Sequence, residues 1–280
     1  GGIDVTAKLY VGGRQVRADG GNSYTVRGRG GAVLGQAALA GRKDVRNAVE
    51  AAGKAAGWGA ATAHNRAQVL YFLAENLAQR QAEFAAALDA TGAVPDGRAE
   101  VDLTIRRCFW YAAQADKFDG RVTAARSRHV TMTLNEPFGV MGIVAPDEAP
   151  LLALMSLVLP AIATGNRVVA VASQSQPLIA TRLYQLFETS DIPDGVVNLL
   201  TGPAEALARS LAEHDDVAAL WYCGTAEGSA AVERASAGNL KPVWSDLGRL
   251  RDWLDPRVGQ GQEYLRRASQ VKTIWLPYGE

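Results

Sequence analysis

The sequence predicts an α/β fold built on a doubly wound parallel sheet. Near-continuous apolar strands alternate with helical segments between residues 138 and 250, the pattern of strands buried on both faces. Residues 40–120 carry apolar positions at helical spacing, which adds packing helices ahead of that core. Period-two alternation over residues 129–135 and 272–276 adds two strands far apart in sequence.

The first forty residues read as β. Lys8-Leu9-Tyr10-Val11 and Arg14-Gln15-Val16 flank Gly12-Gly13, whose freedom at positive φ suits a primed hairpin turn. Tyr24-Thr25-Val26 and Ala32-Val33-Leu34 follow as further strand segments. Val45, Ala48, Val49, Ala52 and Ala56 then form one helical face, with Asp44 at the helix start, where an anion is favoured. Val69, Leu73, Leu77, Phe84 and Leu88 predict a second long helix, and Ile105, Cys108, Phe109, Ala112 and Ala115 a third. All three are expected to serve packing.

In residues 129–135, Val130, Met132 and Leu134 share one side, while Thr131, Thr133 and Asn135 share the other, predicting one dry face and one wet face. This strand and Lys272-Thr273-Ile274-Trp275-Leu276 could pair in a small projecting sheet, or each could be an edge strand of the main sheet. In the core, strands are expected at 139–144, 167–171, 195–200, 217–222 and 242–244, and helices at 151–162, 178–187, around Leu207 and Leu211, and from Gly224 to Ala235. Ligands of such a sheet sit beyond the carboxyl ends of its strands.

Composition narrows the function class. Lys+Arg and Asp+Glu number 29 each, so no basic field exists to draw nucleic acid. Arg121, Arg126 and Arg128 form the main local basic stretch, expected to be a solvated loop. Two cysteines are too few for a disulfide framework and fit a reducing, cytoplasmic setting. The apolar run 149–164 contains Pro160 and is too short and interrupted to span a bilayer. His64, His129 and His214 lack metal-ligand spacing. The opening Gly1-Gly2, with no methionine, suggests a piece cut from a longer chain.

The order of motifs adds specificity. Glu136-Pro137-Phe138-Gly139-Val140, Ala145-Pro146, Pro150, the run Ala163-Thr164-Gly165-Asn166-Arg167-Val168-Val169, Pro193-Asp194-Gly195-Val196-Val197-Asn198, Thr201-Gly202-Pro203, Gly224-Thr225 and Gly238-Asn239-Leu240-Lys241-Pro242-Val243 resemble the aldehyde dehydrogenase superfamily, with Asp44, Trp58 and Arg66 in similar places. The resemblance implies a Rossmann-like NAD(P)-binding domain, a thiol-bearing catalytic domain inserted after it, and an oligomerisation β-flap. It assigns residues 1–128 to the N-terminal hairpin and packing helices, 129–137 and 270–280 to the flap, and 138–250 to the Rossmann-like core. Residues 251–269 then form a connector where the catalytic domain is missing, an internal deletion.

The departures set the functional expectation. The family's oxyanion-holding asparagine is replaced by Glu148, in Ala145-Pro146-Asp147-Glu148. A carboxylate there opposes a developing oxyanion. The general-base glutamate position reads Asp246, in Asp246-Leu247-Gly248-Arg249, and the ribose-gripping Lys-Pro-Ser-Glu segment reads Val171-Ala172-Ser173-Gln174. No nucleophilic cysteine is expected, because Cys108 and Cys223 read as packing thiols. Glu148 and Asp246 are thus degenerate catalytic positions, and Gly224 and Thr225 a vestigial cofactor-binding turn. The pattern resembles the truncated, non-catalytic C-terminal module of family-sixteen aldehyde dehydrogenases. It implies an inactive structural or oligomerisation module of a larger NAD-dependent enzyme, partnered through the flap with itself or a catalytic module. No cofactor is expected to bind tightly, NAD included. The alternatives are an NAD(H)-binding regulatory module, and an acid/base enzyme using Asp147, Glu148 and Asp246.

Overall fold

A computed structural model describes residues 6–126 and 128–278. Residues 1–5, 127 and 279–280, which include the far end of the expected flap, lie outside the described residues.

The chain opens with strands β1 (Thr6–Ala7), β2 (Leu9–Val11), β3 (Arg14–Val16), β4 (Ser23–Arg27) and β5 (Val33–Ala38). Five helices follow: α1 (Arg42–Lys54), α2 (Gly57–Ala60), α3 (Ala63–Gln79), α4 (Gln81–Thr91) and α5 (Gly97–Ala115). Strands β6 (Arg121–Ala124) and β7 (His129–Pro137) lead to the core: β8 (Val140–Val144), α6 (Pro150–Ala163), β9 (Arg167–Val171), α7 (Pro177–Thr181), α8 (Leu183–Glu188), β10 (Val197–Leu200), α9 (Ala204–Glu213), β11 (Ala219–Tyr222), α10 (Ala226–Ser236) and β12 (Val243–Ser245). Two short helices, α11 (Pro256–Gly259) and α12 (Gln262–Arg267), precede β13 (Ser269–Pro277).

Among the described residues, seven strands form the main sheet in the order β12-β11-β8-β9-β10-β2-β3. β12 to β10 run parallel, and the β2–β3 hairpin adds antiparallel at the β10 edge, with Leu199 opposite Tyr10. Gly12 and Gly13 take φ of 60° and 73°, as the hairpin turn requires. The hairpin is fastened to the sheet by Asn198, whose Oδ1 accepts from the Gly12 amide at 2.9 Å. Tyr10 also stacks on Tyr184 at 5.0 Å.

Helix α6 is the centre of the core. Every one of its residues is buried, so its apolar run belongs to the interior of a sheet-and-helix sandwich. No helix among the described residues is long and apolar enough to cross a membrane. The early motif residues grip its C-terminal end: Trp58 Nε1 donates to the Ile162 carbonyl at 2.9 Å, and Arg66 Nε to that of Ala163 at 3.0 Å. Its N-terminal end meets buried Glu100 of α5, whose Oε1 accepts from the Leu151 and Leu152 amides at 2.9 and 3.1 Å. Two amides that would otherwise be orphaned are thereby satisfied.

Several expectations need correction. The predicted second helix is two, α3 and α4, broken at Arg80, and the predicted 178–187 helix is α7 and α8, broken at Arg182. No glycine or proline marks either break, so tertiary packing sets them. Ala56 lies beyond the end of α1, exposed. Phe109 is 36% exposed and meets Tyr71 on the surface, while α5 buries Val101, Cys108, Tyr111 and Ala112. Arg121 is not in a loop but in β6, a third strand beside β7.

The distant strands do pair with each other: β13 and β7 run antiparallel over nine residue pairs, from Ser269 opposite Pro137 to Pro277 opposite His129. With β6 they make a separate three-stranded sheet. Opposite residues share a face, so Val122, Val130, Met132, Leu134, Ile274 and Leu276 lie on one side. That side was expected to be dry, yet Val122 is 75%, Leu134 42% and Leu276 48% exposed.

Residues 251–268 pack on the core. Asn166 is the hinge pin: its Oδ1 accepts from the Gly139 amide at 3.1 Å, and its Nδ2 donates to the carbonyls of Ala161 at 3.1 Å and Ala268 at 2.7 Å. The buried Arg107 of α5 donates to Ser156 Oγ and to the Trp253 carbonyl. Gly259 sits so close to that guanidinium that a Cβ there would have to displace it.

Candidate functional site

The carboxyl ends of β8, β9, β10, β11 and β12 open into one cleft of about 630 Å³. Its wall includes Asp147, Glu148, Gln174, Glu205, Cys223, Gly224, Thr225, Asp246, Arg249 and Arg251. This is where an open α/β sheet presents a ligand site. The structure thus brings together Asp147, Glu148 and Asp246, the three carboxylates singled out in the sequence, with the Gly224-Thr225 turn. Glu205, the fourth carboxylate, went unrecognised; its place in the first turn after Thr201-Gly202-Pro203 was the available signal.

Several polar groups of this cleft are bonded within the chain. Thr225 is the N-cap of α10, its hydroxyl accepting from the Gly228 amide at 2.9 Å and lying 3.3 Å from Glu205 Oε1. Asp246 Oδ1 accepts from the amides of Gly224 and Gly248, each at 3.3 Å. Leu247 and Gly248 take φ of 56° and 78°. This left-handed turn lays Gly248 against the first residue of α10: a Cβ there would fall 2.8 Å from the Ala226 amide nitrogen. The turn therefore folds over the helix N-terminus, the place where backbone amides meet a phosphate.

In the Val171-Ala172-Ser173-Gln174 segment, the polar side chains are also bonded within the chain. Ser173 donates to Asp147 Oδ1 at 2.6 Å, and the Ser175 amide donates to the same oxygen at 3.0 Å. Gln174 Oε1 accepts from the Ala204 amide, at the start of α9, at 2.9 Å. Val171 is fully buried. Between Glu148 and α6, Ala149 adopts a φ of 46°, an uncommon conformation for a residue with a side chain.

Neither cysteine has the setting of a nucleophile. Burial pushes the Cys108 thiol up to about 12. Burial, and then the Asp246 and Glu148 carboxylates, push the Cys223 thiol up to about 12. A reactive thiolate needs the opposite surroundings, electropositive and accessible. Burial also raises the Asp246 carboxyl above its ordinary range, against the lowering effect of the two glycine amides and Arg251.

The cleft's cations are unequal. Arg249 is exposed. Arg251 is held in an aromatic cage, its guanidinium 5.1 Å from the ring of Trp244, 5.4 Å from Trp253 and 5.5 Å from Tyr264. It also donates to the Tyr264 hydroxyl at 2.7 Å. Trp221 and Tyr264 both meet Trp244 edge-on, at 5.0 and 5.1 Å. Residues 251–268 are thus closed onto the last two core strands by an aromatic cluster.

The parallel sheet, its helices and this cleft define an α/β nucleotide-binding type of fold, and the family model described as "Aldehyde dehydrogenase family" matches residues 17–250. The chain belongs to the aldehyde dehydrogenase family. It is 36% identical over 259 residues to the cytosolic 10-formyltetrahydrofolate dehydrogenase of Mus musculus, covering 88% of this chain and 29% of that protein. It is 32% identical to the mitochondrial benzaldehyde dehydrogenase of Antirrhinum majus, covering 86% and 47%. Among solved structures, the NAD-dependent aldehyde dehydrogenase of Sinorhizobium meliloti superposes with a TM-score of 0.83 at 28% identity, over 88% of this chain and 51% of that one. The chain therefore spans only part of these relatives' lengths, from 29% to 51%. The family match stops at residue 250, where the caged Arg251 begins the α11–α12 segment.

Proposed function

We propose that this chain is a non-catalytic aldehyde-dehydrogenase-like module that works by assembly, as the structural or oligomerisation part of a larger NAD-dependent aldehyde dehydrogenase. The observation that carries the reading is the state of the cleft. The groups that would meet an anionic dinucleotide are already bonded within the chain, with Gly224 on Asp246, Thr225 on Glu205 and Gln174 on α9. Asp147, Glu148, Glu205 and Asp246 add four carboxylates to its wall. The residues present do not fit NAD, because desolvating a pyrophosphate beside carboxylates is costly in both charge and lost amide contacts.

The chemistry is consistent with that. Thioester formation from an aldehyde needs an accessible thiolate and a hydrogen-bond donor for the oxyanion. Both thiols are buried and held protonated, and Glu148 offers an acceptor in the donor's place. What remains presented outward is the apolar face of the β6–β7–β13 sheet, which suits a second copy of this chain or the catalytic module of its parent enzyme.

Calorimetric titration of the chain with NAD⁺ tests the reading, and no saturable heat is expected. Micromolar binding would replace it with the second reading, an NAD(H)-sensing regulatory module, which the retained glycine-threonine start of α10 favours. NADH production from a panel of aldehydes would overturn both. A third reading, acid/base chemistry by Asp147, Glu148 and Asp246, gains from their meeting in one cleft and from the raised Asp246 carboxyl.

A further inference from the structure

A second cleft, of about 660 Å³, lies between the β6–β7–β13 sheet and the ends of α5 and α12, away from the cleft at the strands' carboxyl ends. Three cations line it, Lys117, Arg121 and Arg266, against one carboxylate, Asp119. The imbalance stands out in a chain with equal numbers of acidic and basic residues. Phe118 and Val271 supply apolar wall between the charges.

The cations differ in how committed they are. Lys117 Nζ is paired with Asp116 at 2.8 Å. Arg121 and Arg266 make no ion pair among the described residues, and Arg266 is steadied only by Gln262 Oε1 at 3.3 Å. Two unpaired guanidinium groups thus face one cavity from different elements, β6 and α12. Their approach is fixed by the backbone. Gly120 lies so close to the Thr133 carbonyl that no Cβ fits, pressing the loop before β6 onto β7. Asn135 Nδ2 fastens the same loop by donating to the Asp119 carbonyl at 2.8 Å. The Arg121 amide lies 3.2 Å from Thr133 Oγ1.

We propose that this cleft binds a phosphate dianion, free or as a small phosphate monoester. Arg121 and Arg266 supply paired donors in the fork geometry that matches a phosphate, and Lys117 adds a point charge. Asp119 opposes the anion and limits its affinity, and Phe118 with Val271 would flank an ester's carbon body. Because the dianion is the ligand, binding strengthens as pH rises through the phosphate's second ionisation, near 6 for an ester.

The test is calorimetry on the full chain with inorganic phosphate and with phenyl phosphate, each against chloride at matched ionic strength. Saturable binding of either phosphate, absent with chloride and tighter at pH 7.5 than at about pH 5.5, is expected. Tighter binding of phenyl phosphate assigns the site to an ester, and equal or tighter binding of inorganic phosphate assigns it to the free ion. The R121Q/R266Q variant should bind at least about tenfold more weakly, with an unchanged thermal midpoint since both side chains are exposed. D119N should bind more tightly than wild type, a gain that damage to the fold does not produce. The proposal is overturned if no saturable heat appears up to about 10 mM phosphate, if R121Q/R266Q binds like wild type, or if D119N binds no better.

Discussion

Asp246 shows how one side chain can occupy the amides of a site at a cost to the fold. It gathers the amides of Gly224 and Gly248, yet burial keeps its carboxyl above the ordinary range. An acid whose folded pKa is raised adds stability below its unfolded pKa, and that contribution is lost as pH rises through the folded value. Asparagine keeps the accepting oxygen without the charge. D246N should therefore gain in thermal midpoint relative to wild type as pH is raised from about 4 to about 7. A difference between the two proteins that stays flat across that range would show that the buried charge carries no such penalty. Arg251 works by the opposite logic, since its charge faces three aromatic rings and is stabilised where it stands.

Between elements, the couplings run through a few buried polar side chains. Asn166 joins the start of β8, the end of α6 and the entry to β13 with three hydrogen bonds. Replacing it with alanine leaves the Gly139 amide and the Ala268 carbonyl without that partner. N166A should cost about 2–4 kcal/mol, read as a lower urea midpoint, with β13 amides losing hydrogen-exchange protection before those of β8 and β9. Uniform loss of protection across all strands would show that Asn166 does not act on β13 in particular. Glu100 plays the equivalent part at the other end of α6, and burial raises its carboxyl above the ordinary range, against the lowering effect of the two amides it accepts from.

At the scale of the whole molecule, the exposed apolar face of the three-stranded sheet is the feature a lone chain leaves uncovered. Val122, Leu134 and Leu276 project from it, and an apolar sheet face of this kind favours association. Because Val122 and Leu276 are exposed in the single chain, lysines there leave its interior untouched. Light scattering should show an oligomer for the wild type, shifted to a smaller species in V122K/L276K. An unchanged mass for the variant would remove this face from the assembly proposed above. The same experiment repeated with NAD⁺ present should give the same masses under the proposal that the cleft does not take the dinucleotide.

The sequence alone determined the α/β class, the order of the core strands along the chain, the hairpin at Gly12-Gly13 and the family, because those rest on local periodicity, on turn chemistry and on motifs that survive in linear order. The resemblance also singled out Glu148 and Asp246 as degenerate catalytic positions and Gly224 and Thr225 as a cofactor turn, and the structure lines one cleft with all four. Only the tertiary structure decided the helix breaks at Arg80 and Arg182, where no breaker residue stands and packing sets the bend. It likewise decided the pairing of β7 with β13, the presence of β6, and the exposure of the face expected to be dry. Contacts between residues far apart along the chain leave no local signature, which is why Glu205 beside Thr225, the Arg251 cage and the meeting of Arg121 with Arg266 could be seen only in three dimensions.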